Sequence, residues 1–168
     1  MKTHIEKLND LHACEEAVEW ADQFDTIEEV VKNCHRGDWL LWLAHKLNVN
    51  LRKLTLTKGH CANTVRHLMT DERSRKAVDV AIKFGRFEVS REKLDAAAAA
   101  AYSAAYAAAY AASAEVYDTA AYADAYSAAA AAAAYSAADA KTKNQLQTAD
   151  ICRKYIGNEI IEKFNQLK

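Results

Sequence analysis

One stretch of this chain constrains its fold more than any other. From residue 96 to residue 140, alanine fills 28 of 45 positions and tyrosine seven. Alanine has the best helix propensity of all residues, so such a stretch forms helix with little tertiary help. Compositional bias of this kind usually signals disorder, but the tyrosines are spaced. Tyr102, Tyr106 and Tyr110 recur every four residues and Tyr117 follows seven later, which places them on one helical face. Tyr122 and Tyr126 lie about 140–180° from that face. A helix of fifty residues would span about 75 Å, whereas a compact domain of this size is about 40 Å across. The tract is therefore expected to fold as two helices, turning near Val116–Thr119, where Asp118 and Thr119 can cap. A single long helix shared in a dimer is the competing arrangement. Alanine faces let helix axes approach closely, with tyrosine rings filling the gaps and hydroxyls at the wet rim.

The rest of the chain reads as helix too. It contains no proline and four glycines, fewer turn residues than a strand-rich domain needs. A first helix is expected from Leu11 to Phe24 behind Asn9 or Asp10, with Leu11, Cys14, Ala17, Val18 and Ala21 facing inward. Thr26-Ile-Glu-Glu29 has the form of a capping box, opening a helix that Gly37 should end in the left-handed conformation. Asp38 should then cap a third helix, Trp39 to Leu47. A fourth segment runs from Leu51 to Met69, with Gly59 either weakening it or admitting another backbone. Thr70 is the expected cap of the next helix, and Gly85 its stop. Ser90 opens the tract. Beyond it, Leu146, Ala149, Cys152, Tyr155 and Ile156 mark a helix ending at Gly157, with Asn158 capping a short last one. The expectation is an all-α, single-domain bundle over 1–168, with seven to nine helices and a close-packed Ala/Tyr hairpin. Residues 1–89 form a short-helix half and 90–168 the hairpin with the C-terminal helices.

Several function classes find no support. With 22 basic and 23 acidic residues, the chain carries no electrostatic case for binding nucleic acid or a membrane surface. The N-terminus lacks an apolar signal core, so the expected location is cytoplasmic. The four cysteines match no disulfide or zinc spacing and read as small core residues. No two glycines lie within the length of a phosphate-binding loop. Cys34-His35 and His60-Cys61 could meet at a zinc ion, but adjacent helical residues point about 100° apart. A Cys–His nucleophile drawn from them lacks an orienting group or oxyanion hole. No cofactor and no catalytic residue is expected. The charged run Asp71–Lys76 reads as a solvated helix face.

The sharpest local constellation is Arg36-Gly37-Asp38-Trp39, which ends one helix and starts another within four residues. Its plain reading is a corner clamp. Its functional reading is an arginine–tryptophan anchor for a protein partner, since those residue types dominate interface hot spots. Arg36, Asp38, Trp39 and Trp42 are the candidate partner-binding residues.

The run Ala13-Cys14-Glu15-Glu16-Ala17-Val18-Glu19-Trp20, followed by Cys34-His35-Arg36-Gly37-Asp38-Trp39-Leu40-Leu41-Trp42-Leu43-Ala44, resembles the opening of a family of bacterial and phage-associated immunity proteins. The Ala/Tyr tract followed by Ala149-Asp150-Ile151-Cys152-Arg153-Lys154-Tyr155-Ile156 is similar to that family's second half. Gly59-His60 departs from the pattern, which there favours alanine or cysteine. The resemblance implies an α-helical protein that binds and neutralises a cognate protein toxin without catalysis. The alternative is a structural or self-assembling helical protein, a homo-oligomer joined through its Ala/Tyr face.

Overall fold

The computed structural model describes residues 3–69, 71–116 and 140–167, with side chains for all of these except 104–116. The protein is all-α, and no strand occurs among the described residues. Helices α1 (His4–Asp10), α2 (Glu15–Ala21), α3 (Ile27–Asn33), α4 (Gly37–Lys46) and α5 (Leu51–Asn63) follow in close succession. A 3₁₀ turn (Arg66–Leu68) leads to α6 (Glu72–Gly85) and α7 (Arg91–Val116). Helix α8 (140–152) runs through a π-helical turn (Arg153–Gly157) into α9 (Asn158–Asn165). No helix among the described residues is long and apolar enough to cross a membrane.

The core joins the two ends of the chain. Leu8, Ile27, Val30, Val31, Leu40, Leu43, Ala44 and Leu54 from α1–α5 pack with Ala149, Cys152, Ile156, Ile160 and Phe164 from α8–α9. Apart from Leu8, these belong to the inward stripes legible from the spacing of apolar residues. Lys7 is buried with them. Its ammonium donates to the Phe164 carbonyl at 3.4 Å and stands 5.6 Å from the centre of that ring. That carbonyl also accepts the Leu167 N–H at 3.1 Å, so Lys7 adds a second bond at the end of α9. Outside this core, α5 packs on α6 and α6 on α7.

The turns differ from the sequence expectation in one consistent way. None of the four glycines has a positive φ; the left-handed positions belong to His12 (62°), Asn48 (50°) and Phe87 (64°). Each closes a helix by the same double hydrogen bond. After α1, the His12 N–H donates to the Asn9 carbonyl and Ala13 N–H to Leu8. After α4, Asn48 N–H donates to His45 and Val49 to Ala44; after α6, Phe87 donates to Phe84 and Glu88 to Lys83. This is the Schellman arrangement, which glycine usually occupies. It leaves only Glu15–Ala21 of the expected Leu11–Phe24 helix, and Asn9 and Asp10 end α1 instead of capping a helix. Helix α1 is itself opened by a complete capping box between Thr3 and Glu6.

The glycines serve close approach instead. A Cβ on Gly37 would fall 2.3 Å from Thr148 Oγ1 and 2.7 Å from the Thr148 carbonyl carbon. Gly37 is therefore the first residue of α4, packed on α8, and not a stop for α3, which ends where Cys34 turns to an extended conformation. Gly59 faces Ala81 and Ile82, and Gly85 faces Arg52 and Leu56, so α5 and α6 are notched reciprocally. Helix α5 is regular through Gly59 and ends at Asn63, short of the expected Met69. Gly157 sits within continuous helix in the right-handed region, and Asn158 continues that helix without capping it.

Two caps moved. The Asp38 carboxylate turns to Arg36 instead of the helix backbone, and the N-cap position of α4 is Arg36. Thr70 lies outside the described residues, and the cap of α6 is Asp71, which accepts from the Arg73 N–H at 2.8 Å. Thr26 caps α3 as expected, but Glu29 reaches back to the Asp25 N–H, one residue beyond the box. Ser90 accepts from the Lys93 N–H at the start of α7. That helix forms the first part of the tract, and the expected turn beyond Val116 lies outside the described residues. Its side toward α6 carries half-buried Leu94, Ala97 and Ala100, while Tyr102 is 75 % exposed, so this tyrosine fills no gap. Cys34 and Cys152 are buried as expected, Cys61 is half-buried, and Cys14 is exposed, a correction to its core assignment. Cys14 occupies the N-cap position of α2, ahead of the apolar stripe.

Candidate protein-binding corner

The corner between α3 and α4 is built on a pinned backbone. Residues 34–36 leave α3 extended. The Cys34 thiol donates to the Arg36 carbonyl at 3.3 Å, and the Cys34 carbonyl accepts from Arg153 on the π-helical turn. These bonds fix where the Arg36 side chain departs. Its guanidinium meets Asp38 in a two-pronged pair, Nε to Oδ1 at 2.9 Å and Nη2 to Oδ2 at 2.7 Å. A third prong, Nη1, reaches Glu16 on α2 at 3.4 Å. The flat face of the same guanidinium lies 4.7 Å from the centre of the Trp39 ring. One arginine thus ties α2 to α4 while holding a planar, preorganised shape. The hydrogen bond with Asp38 raises the Arg36 pKa, and the same bond lowers that of Asp38.

Beside it the rings form a cluster. Trp20 sits 4.9 Å from Phe24, 5.2 Å from His35 and 5.9 Å from Trp39, and His35 stands edge-on to Trp39 at 5.6 Å. All four rings are half-buried, with the tilted and edge geometries that ring quadrupoles favour. Of the residues singled out from sequence, Arg36, Asp38 and Trp39 come together here. Trp42 stands apart, its ring under the Lys46 ammonium at 5.6 Å. Sequence reasoning missed Glu16, Trp20 and His35 as members. The i,i+4 pairing of Trp20 with Phe24 was legible, but its meeting with Trp39 depends on how α2 and α4 cross.

The surface that continues from this corner is acidic. Residues 15–29 hold seven Asp and Glu residues and no Lys or Arg, and all seven are exposed. Glu28 accepts from the Asn165 side chain, and that bond lowers its pKa.

An open groove of about 500 Å³ is lined by His60, Asn63, Asp79, Ile82, Lys83, Arg86 and Glu88. His60 stacks flat on Tyr155 at 4.9 Å. Burial holds the His60 pKa below its ordinary value, helped by the charges of Arg86 and Lys154. The two Cys–His pairs do not converge: His35 belongs to the ring cluster and His60 to this stack. Among the described residues no group of three or more His, Cys, Asp or Glu is placed to hold a metal ion.

Neither a family model nor a curated protein nor a solved structure matches this chain.

Proposed function

We propose that this chain is a non-enzymatic protein-binding protein that neutralises a cognate toxin in the cytoplasm, as an immunity protein does. The observation that carries the binding reading is the corner: a guanidinium fixed by two carboxylates, laid on a tryptophan, beside three further packed rings. Rigid Arg–Trp anchors supply contact area at low entropic cost, which is what hot spots require. The acidic face of α2–α3 beside it fits a basic partner surface and speeds encounter with one. The resemblance of the Cys34–Ala44 run to immunity proteins is what makes the partner a toxin.

The test is co-expression with the product of the neighbouring gene. The two proteins should co-purify, and this chain should relieve that product's toxicity. Arg36→Ala and Trp39→Ala should each weaken the complex by about 30-fold or more, the weight of a hot-spot residue. Trp42→Ala should leave it near wild type. A neighbour that is harmless, or that never associates, sinks the reading.

One observation favours a second reading. Tyr102 projects 75 % exposed from a helix of alanines, a contact suited to self-association. Light scattering on the purified chain separates the two readings, because a monomer at micromolar concentration leaves self-assembly without support.

A further inference from the structure

Three of the four thiols approach one another from different elements, although the sequence spaces them far apart. Cys61 on α5 directs its sulfur to the Thr148 carbonyl of α8 at 3.8 Å. Thr148 lies one turn before Cys152, whose own sulfur donates to the Gly37 carbonyl at 3.6 Å. Gly37 is packed so closely on Thr148 that no side chain fits between them. Cys61, Thr148, Gly37 and Cys152 therefore form one continuous patch, in which each of the two thiols donates to a backbone carbonyl of the Gly37–Thr148 contact. Cys34 lies nearby, but its thiol is committed to the Arg36 carbonyl.

We infer that Cys61 and Cys152 are a thiol oxidation site, in which Cys61 reacts first with a small disulfide and Cys152 resolves the adduct into an intramolecular Cys61–Cys152 bond. The roles follow from access. Cys61 is half-buried, so a small reagent reaches it, whereas Cys152 is fully buried and is reached only from within. The two thiols also differ in acidity: the neighbouring Cys152 lowers the Cys61 pKa, while Cys61 and burial raise that of Cys152. Thiolate is the attacking form.

With oxidised glutathione as the oxidant, the Cys61 thiolate attacks one sulfur and the glutathione S–S bond breaks. One glutathione leaves as thiolate, and the other stays bonded to Cys61. The departing thiolate removes the proton that Cys152 gives up, and the Cys152 sulfur attacks the Cys61 sulfur. The second glutathione then leaves and takes a proton from solvent. The protein loses two electrons and two protons, and one disulfide becomes two thiols. The new bond would close the chain from 61 to 152, enclosing α6, α7 and the whole Ala/Tyr tract. It would tie α5 to α8, restricting the unfolded chain and so raising the melting temperature.

The experiment uses the full chain, incubated folded with oxidised glutathione, quenched with acid, digested and analysed by mass spectrometry. The expected product is a linked Cys61–Cys152 peptide pair, about two mass units below the sum of its thiol forms. Exposed Cys14 should carry glutathione and serve as the internal standard of reactivity. In Cys152→Ser, the glutathione adduct should instead accumulate on Cys61. The wild-type chain alone decides the matter should that variant fail to fold. Modification confined to Cys14, or a link from Cys61 to Cys34, overturns the proposal.

Discussion

At the scale of single residues, the main surprise is which ones take the left-handed backbone. A non-glycine residue there costs about 1–2 kcal/mol from the clash of Cβ with the following carbonyl. His12 bears this cost at an exposed position while ending α1. His12→Gly should therefore stabilise the protein by about 1 kcal/mol after the entropy of a freer unfolded chain is subtracted. A urea melt measures this, and a loss of stability would mean that the imidazole makes a contact worth more than the strain. The same positions explain why helix ends were misread. Gly37 and Gly157 carry the usual stop signal without ending a helix. Helix α6 does end at Gly85, as expected, but Phe87 takes the left-handed position. Gly37 and Gly85 are small because a neighbouring helix leaves no room. That demand comes from residues far along the chain, such as Thr148 for Gly37, and local pattern cannot express it.

His60 gives a pH prediction of definite sign. Its folded pKa lies below the ordinary 6.5, through burial first and the Arg86 and Lys154 charges second. The unfolded chain therefore binds the proton more readily. The stability from the neutral ring is complete above pH 6.5 and is lost as pH falls from there toward the folded pKa. The Asp79 carboxylate across the groove stays ionised through that window, because its hydrogen bond with Arg66 lowers its pKa. Comparing denaturation midpoints of wild type and His60→Gln from pH 7.5 down to about 5 isolates the effect. The wild type should lose stability relative to the variant as pH falls, and parallel curves would exclude it.

At the scale of elements, the α5–α6 pair shows what the glycines contribute. Gly59 lets α6 approach at Ile82, and Gly85 lets α5 approach at Leu56 and the Arg52 carbonyl. The two notches lie about one turn apart in an antiparallel contact. Arg52 completes it, donating to the Phe84 carbonyl and stacking between the Phe84 and Phe87 rings at 4.2 and 4.4 Å. In an isolated helix, Gly→Ala would stabilise by nearly 1 kcal/mol. Here Gly85→Ala would set a methyl 2.4 Å from Leu56 Cβ and 2.9 Å from a backbone oxygen. It should cost about 1–3 kcal/mol, the usual range for overpacking. A higher urea midpoint for the variant would show that the helices part easily. Helix existence was legible wherever an apolar stripe ran at helical spacing, as in Ile27, Val30, Val31 and Leu40, Leu43, Ala44. Helix α1 escaped notice because seven residues carry too little periodicity, although its Thr3–Glu6 box was visible. The corner was half legible for a related reason. Arg36, Asp38 and Trp39 are neighbours in sequence, whereas Glu16 and Trp20 join them only through the crossing of α2 and α4.

For the molecule as a whole, the decisive fact is that the first 54 residues and the last 20 share one core while α6 and α7 lie outside it. Phe164 stands at that junction. It is 1 % exposed, its ring lies beneath the Lys7 ammonium, and its carbonyl accepts from the same group. The next residue, Asn165, reaches back to Glu28 on α3. Removing the ring takes packing from both ends of the chain at once. Phe164→Ala should cost about 3–5 kcal/mol, the range for emptying a buried aromatic site. All three tryptophans, Trp20, Trp39 and Trp42, stand on α2 and α4. Their fluorescence therefore reports the N-terminal half alone, at a distance in sequence of more than a hundred residues from the substitution. If the two ends form one cooperative unit, the tryptophan transition in urea must move to lower denaturant by the full amount seen by circular dichroism. A tryptophan transition that stays in place would show that α1–α5 hold together without the C-terminal helices. Residues 34–44 would then belong to an element that folds on its own.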